Sequence, residues 1–193
     1  MGRRLHCWVY SLWYPALLGT FLVTLLIRPT PTEHEPWGWL LVIYFTLQHV
    51  EGTLDSAQYD LIRFIVDDFA EMVLMVWSFA LLYPNSLPVV EGVIAWSSLP
   101  WVLTGVFALP VGYRFVRERA KLREDHRSFY WTVSIMSVIA IGATALWAFG
   151  VVSEQVAFWV ILCLLTVYGL LFVVFNEQAA RLIPSIARPP AAA

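Results

Sequence analysis

Charged side chains are scarce in this sequence. They make up 13% of the 193 residues, against 60% hydrophobic and 16% aromatic, where water-soluble domains carry about 25% charged and about 45–50% apolar residues. So few charges cannot cover a water-facing surface, which excludes a soluble globular domain and a disordered chain. Cysteine is nearly absent: Cys7 and Cys163 are isolated, with no Cys-x-x-Cys pair, so a disulfide or thiolate metal site is not expected. Lys121 stands alone beside eleven arginines and falls outside every apolar run, which argues against a lysine-bound retinal. A net charge of −2 supplies no field to recruit nucleic acid, and no nucleic-acid partner is expected. Gly-x-Ser-Gly, His-Glu-x-x-His, potassium-filter and nucleotide-binding patterns are also missing.

What the chain has instead is long apolar runs, at 8–27, 37–50, 61–83, 88–113, 129–150 and 156–175, with a mean hydropathy of +0.70. About 20 apolar residues cross a hydrocarbon core of about 30 Å as a helix. The second run reaches that length only by continuing through Gln48, His49 and Glu51. Pro100 interrupts the fourth run and Pro110 ends it, predicting a kink. The runs are continuous, not alternating, which excludes a β-barrel. The expected fold is therefore all-α: one polytopic bundle of about six transmembrane helices over residues 1–183, then a flexible Pro/Ala-rich tail at 184–193. No internal repeat points to an inverted-repeat transporter.

Basic residues set the expected orientation. With both termini cytoplasmic, Arg3 and Arg4, the basic loop at 114–127, Arg181 and Arg188 all fall inside, ten of the twelve Lys and Arg residues. The positive-inside rule then gives an N-in/C-in protein of the cell membrane with an even number of spans. Arg3, Arg4 and His6 resemble the charged start of a signal peptide. No small-x-small cleavage pattern follows before Arg28, so a retained first helix is expected. Tryptophans 8, 13, 37, 39, 101, 131 and 159 lie near span ends, where an aromatic belt forms. Trp77, Trp96 and Trp147 are candidates for deeper positions, and His6, His34 and His126 read as lone interfacial residues.

Against this background the third run stands apart. Six of the fourteen acids, Glu51, Asp55, Asp60, Asp67, Asp68 and Glu71, fall within 21 residues. The last three lie inside an apolar stretch, where each charge costs about 2.5–3.5 kcal/mol on insertion scales. Such groups face the bundle interior and are partnered. Helical spacing puts Asp60, Arg63, Asp67, Glu71 and Ser78 near one stripe, with Asp68 turned about 100° from Asp67 but three residues from Glu71. Glu71 sits about 15 Å above Leu61. A hairpin from the second run brings His49 to the same acids.

The string Asp67-Asp68-Phe69-Ala70-Glu71 has the D-D-x-x-E form and resembles the aspartate-rich motif of Mg²⁺-dependent isoprenoid diphosphate enzymes. The resemblance covers five residues and implies that Asp67, Asp68 and Glu71 are candidate Mg²⁺ ligands; Asn176-Glu177 is the one candidate for a second acidic motif. No other cofactor is indicated. Without metal, neighbouring carboxylates in a low-dielectric site retain a proton and act as acid and base. The leading expectation is an integral membrane enzyme acting on an apolar, lipid- or isoprenoid-like substrate. Asp67, Asp68, Glu71 and His49 carry the chemistry, and Arg63, Trp77, Glu51, Arg114 and Arg117 contact substrate. One alternative is a proton- or cation-coupled transporter or channel, for which the other spans offer mainly hydroxyls (Ser11, Thr20, Thr24, Ser134, Ser137, Thr144, Thr166 and Tyr168) and Glu91. The other is a structural subunit, with the acids ordering the bundle or a homo-oligomer interface.

Overall fold

Six helices follow one another in the computed structural model, which describes residues 2–27, 35–54, 64–83, 99–117 and 127–175. They are α1 (2–27), α2 (Glu35–Leu54), α3 (64–82), α4 (Leu99–Arg117), α5 (Arg127–Ala148) and α6 (Glu154–Phe175), with no strand among the described residues. The expectation of an all-α chain is met at that level. Three stretches, Leu5–Ile27, Trp131–Ala148 and Glu154–Phe172, are long and apolar enough to cross a membrane. Ala70–Leu82 and Leu99–Leu109 are shorter apolar stretches. The outer faces of the long helices agree with a membrane environment: Leu26, Val138 and Leu170 are more than half exposed, and lipid is the solvent that accepts such a surface. The chain is a membrane protein on this count.

Two of the helices are not regular. In α1, a π-helical stretch Val9–Trp13 separates Gly2–Trp8 from Tyr14–Ile27. In α3, a π-helical stretch Phe64–Phe69 precedes Ala70–Leu82. Pro15, which lacks an N–H, follows the first stretch and leaves the Ser11 carbonyl without its usual helical donor. The second contains no Gly or Pro, and π-turns are frequent at functional sites. Pro110 does not end α4: the helix runs through it to Arg117. In an apolar environment neighbouring helices and local adjustments satisfy the backbone groups that proline frees. Pro100 falls in the first turn, where its missing N–H costs nothing.

Packing places α2 and α3 at the centre. α2 touches α1, α3 and α6, while α3 touches α1, α2 and α4; α4 packs most extensively on α5, and α5 on α6. Hydroxyls on these helices turn back on their own backbones. Thr20 donates to the Ala16 carbonyl, Thr46 to Val42, Ser137 to Val133 and Thr166 to Leu162, at 2.6–3.0 Å. Such back-bonding satisfies a hydroxyl within its own helix. Between helices, Thr104 of α4 donates to Thr144 Oγ1 of α5 at 2.8 Å.

One end of the bundle is closed by aromatic packing. Trp37 of α2, 2% exposed, stacks on Trp147 with ring centres 5.2 Å apart and meets Phe158 edge-on, and its indole N–H donates to Glu154 Oε1 at 2.9 Å. Beside it α1, α2 and α3 approach closely at Gly38. A Cβ there would sit 2.6 Å from the Tyr83 hydroxyl and 2.8 Å from Leu25 Cδ2, inside van der Waals contact. Gly38→Ala is accordingly expected to destabilise the fold by about 1–3 kcal/mol through overpacking, read as a lower thermal midpoint in detergent.

Candidate functional site

The opposite end of the three-helix core holds the acids. Tyr10 lies in the π-stretch of α1 and Asp68 in the π-stretch of α3, and the Tyr10 hydroxyl donates to Asp68 Oδ1 at 2.6 Å. Both side chains are buried, Asp68 to 1% exposure. At 2.6 Å this bond is at the short end of the O–H···O range. The two π-turns among the described residues are thus joined to each other by one buried hydrogen bond.

Aromatic rings build a wall on this pair. His6, Tyr10 and Tyr14 recur at four-residue steps along α1, with His6 and Tyr10 centred 4.7 Å apart and Tyr10 and Tyr14 stacked at 6.0 Å. His49, near the end of α2, stacks on both tyrosines, 5.8 Å from Tyr10 and 5.3 Å from Tyr14. Antiparallel packing of α2 on α1 explains the meeting: the last turns of α2 lie against the first turns of α1. Glu71, also buried, comes one turn after Asp68, about 4.5 Å further along the helix axis. Glu71, Tyr44, Tyr10 and Asp68 are all electrostatic neighbours of Tyr14. Tyr14 is fully buried, and its hydroxyl has no hydrogen-bond partner among the described residues.

Along α3 the inner face runs Asp68, Glu71, Met72, Met75, Ser78 and Phe79, all buried. This corrects the expected stripe in one respect. Asp68, placed about 100° off that stripe by regular helical spacing, is buried with Glu71, in a stretch where a wider π-turn replaces regular spacing. His6, read as a lone interfacial residue, is buried and packed on Tyr10. Trp77 is 44% exposed on the outer face of α3 and is not brought to the site. His49 packs on Tyr10 and Tyr14, Tyr10 bonds Asp68, and Glu71 neighbours Tyr14. All of Arg63, and the side chains of Glu51, Asp67, Arg114 and Arg117, lie outside the described residues, as do Trp96, residues 118–126 of the basic loop and the 184–193 tail. Among the described residues no three His, Cys, Asp or Glu side chains gather as a metal-ligand set.

No family model, curated protein or solved structure matches this chain. Its chemistry has to be argued from the cluster itself.

A cavity of about 50 Å³ lies next to the cluster, between α2, α4, α5 and α6. Tyr44, Gln48, Phe107, Met136, Ala140 and Tyr168 are among its lining residues. Tyr44 belongs to both regions, since it lines this cavity and neighbours Tyr14. Gln48 on its rim immediately precedes His49. Tyr44 thus links the cluster to a space that is mostly apolar. Sequence reasoning missed Tyr10, Tyr14 and Tyr44, although the four-residue spacing of His6, Tyr10 and Tyr14 was available as a signal.

Proposed function

We propose that the chain is an integral membrane enzyme that performs carboxylate acid–base chemistry on an apolar, lipid-like substrate, with Asp68 and Glu71 as the reacting pair. The observation that carries this reading is the Tyr10–Asp68 hydrogen bond between two π-turns, with Glu71 one turn away and the cluster buried. Two carboxyl groups in a low-dielectric site divide the roles between them: one holds a proton and the other is ionised. The acid delivers its proton to one carbon of a substrate double bond, whose π electrons form the new C–H bond. The ionised carboxylate removes a proton from a neighbouring carbon, and that C–H pair becomes the shifted double bond. Substrate and enzyme each end with the protons they began with. Tyr10 holds Asp68 in place, and the Tyr14 and His49 rings offer π-faces to the cationic intermediate.

This reading takes the six helices as six spans with both termini cytoplasmic, which puts the acids toward the cytoplasmic side. If Asp67, Asp68 and Glu71 held Mg²⁺, the metal would supply polarisation of a substrate oxygen in place of the proton. Two features favour a pocket over a conduit. Met72 and Met75 close the inner face of α3 beyond Glu71, and hydroxyls on the other helices are bound to their own backbones.

Glu71→Gln tests the assignment. In proteoliposomes supplied with a cellular lipid extract, the variant is expected to lose turnover by about 10²–10⁴-fold while folding normally. Full turnover in Glu71→Gln removes Glu71 from the chemistry. A proton or cation flux present in the unaltered protein and lost in Glu71→Gln assigns the cluster to transport instead.

A further inference from the structure

The inner cavity has a counterpart on the outside of the bundle. An open groove of about 390 Å³ lies on α6 beside α5, lined by Met136 of α5 and by Trp159, Val160, Cys163, Leu164 and Val167 of α6. Apart from a thioether, a thiol and an indole N–H, this lining is hydrocarbon, and it belongs to two helices that are long and apolar enough to span a membrane. Met136 and Leu164 line both the groove and the inner cavity. These two side chains are the partition between the bilayer and the space beside Tyr44.

We infer that an unbranched hydrocarbon chain enters the protein sideways from the bilayer, between α5 and α6 and past Met136 and Leu164, and lodges its end in the cavity beside Tyr44. Methionine is suited to such a partition, because it is unbranched, has three rotatable bonds and repacks readily. The inner cavity sets the shape of the occupant. At about 50 Å³ it has roughly a third of the volume, about 150 Å³, of a cavity that admits benzene. The end of a straight alkyl or alkenyl chain suits it, and a ring or a methyl-branched isoprenoid unit does not. Lateral entry also fits the chemistry of the occupant, which partitions into the membrane and has no reason to pass through water. Identifying this chain as the substrate rests on the acid–base reading; the entry route stands on the shared lining alone.

The test uses the full chain in phosphatidylcholine liposomes and two photoreactive probes. One is a straight-chain fatty alcohol with a diazirine near its hydrocarbon end, and the other is an isoprenoid alcohol with the same group. After irradiation, labelled residues are located by mass spectrometry. The straight-chain probe is expected to label Ala140, Ile161 and Leu165, and the isoprenoid probe to label only the outer groove. Met136→Trp, which fills the partition, should abolish inner labelling. Met136→Ala, which opens it, should admit the isoprenoid probe as well. Label confined to Trp159, Cys163 and Val167, equal for both probes and unchanged in both variants, overturns the route. Asp68→Asn should label as the unaltered protein does. Inner labelling together with full turnover in that variant would sink the acid–base reading and leave the route in place.

Discussion

Replacing Asp68 by asparagine is expected to lower turnover by about 10²–10⁴-fold, the usual contribution of a positioned acid or base, while leaving the fold intact. The two outcomes separate because asparagine keeps the shape and the acceptor oxygen of aspartate. The Tyr10 hydroxyl, 2.6 Å from Asp68 Oδ1, can still donate to it, so the π-turns of α1 and α3 remain joined. What is lost is the ability to hold or take a proton. Asp68→Leu should behave differently: it removes the acceptor as well, and the loss of a buried hydrogen bond adds about 1–3 kcal/mol of destabilisation. Turnover in lipid extract and thermal unfolding in detergent, measured on both variants, check the pair. If Asp68→Asn unfolds as readily as Asp68→Leu, the carboxylate is structural and the catalytic assignment fails.

The second large effect belongs to the other end of the bundle. Trp37→Ala is expected to destabilise the protein by about 3–5 kcal/mol, the range for emptying a buried aromatic site. Trp37 is 2% exposed, stacks on Trp147, meets Phe158 edge-on and bonds Glu154, so one truncation weakens the contact of α2 with both α5 and α6. Trp37→Phe keeps most of the packing and loses the N–H, and should cost only about 0.5–1.5 kcal/mol. Trp37 is twelve residues from His49 on the same helix, about 18 Å along its axis. Stability should therefore fall without a change in the turnover of the protein that remains folded. Denaturant titration in mixed micelles measures the first quantity and turnover per folded molecule the second.

The sequence carried the class of this fold because apolar length is a one-dimensional property. The runs at 129–150 and 156–175 can be read directly, and they appear as α5 and α6. That the end of α2 meets the start of α1, where His49 stacks on Tyr10 and Tyr14, follows from a hairpin of two apolar runs, which fixes which ends meet. The face on which each acid points was not legible. Regular spacing set Asp68 off the stripe, whereas Asp68 is buried with Glu71, and a π-turn over Phe64–Phe69 has no compositional mark. Tyr10 and Tyr14 were hidden by abundance: with 30 aromatic residues in the chain (10 Trp, 8 Tyr, 12 Phe), a tyrosine in a site looks like a tyrosine in a belt. Trp37 shows the same limit in reverse. It was assigned to the interfacial belt by position, but packs inside the bundle, because Trp147, Phe158 and Glu154 converge on it.

The central claim is that the buried Asp68–Glu71 pair moves protons on and off a substrate carbon. It is tested most directly by incubating the reconstituted protein with a cellular lipid extract in D₂O and reading the lipids by mass spectrometry. The account predicts a lipid species that gains deuterium with the unaltered protein and not with folded Asp68→Asn or Glu71→Gln. Identical isotope patterns for all three proteins would contradict it.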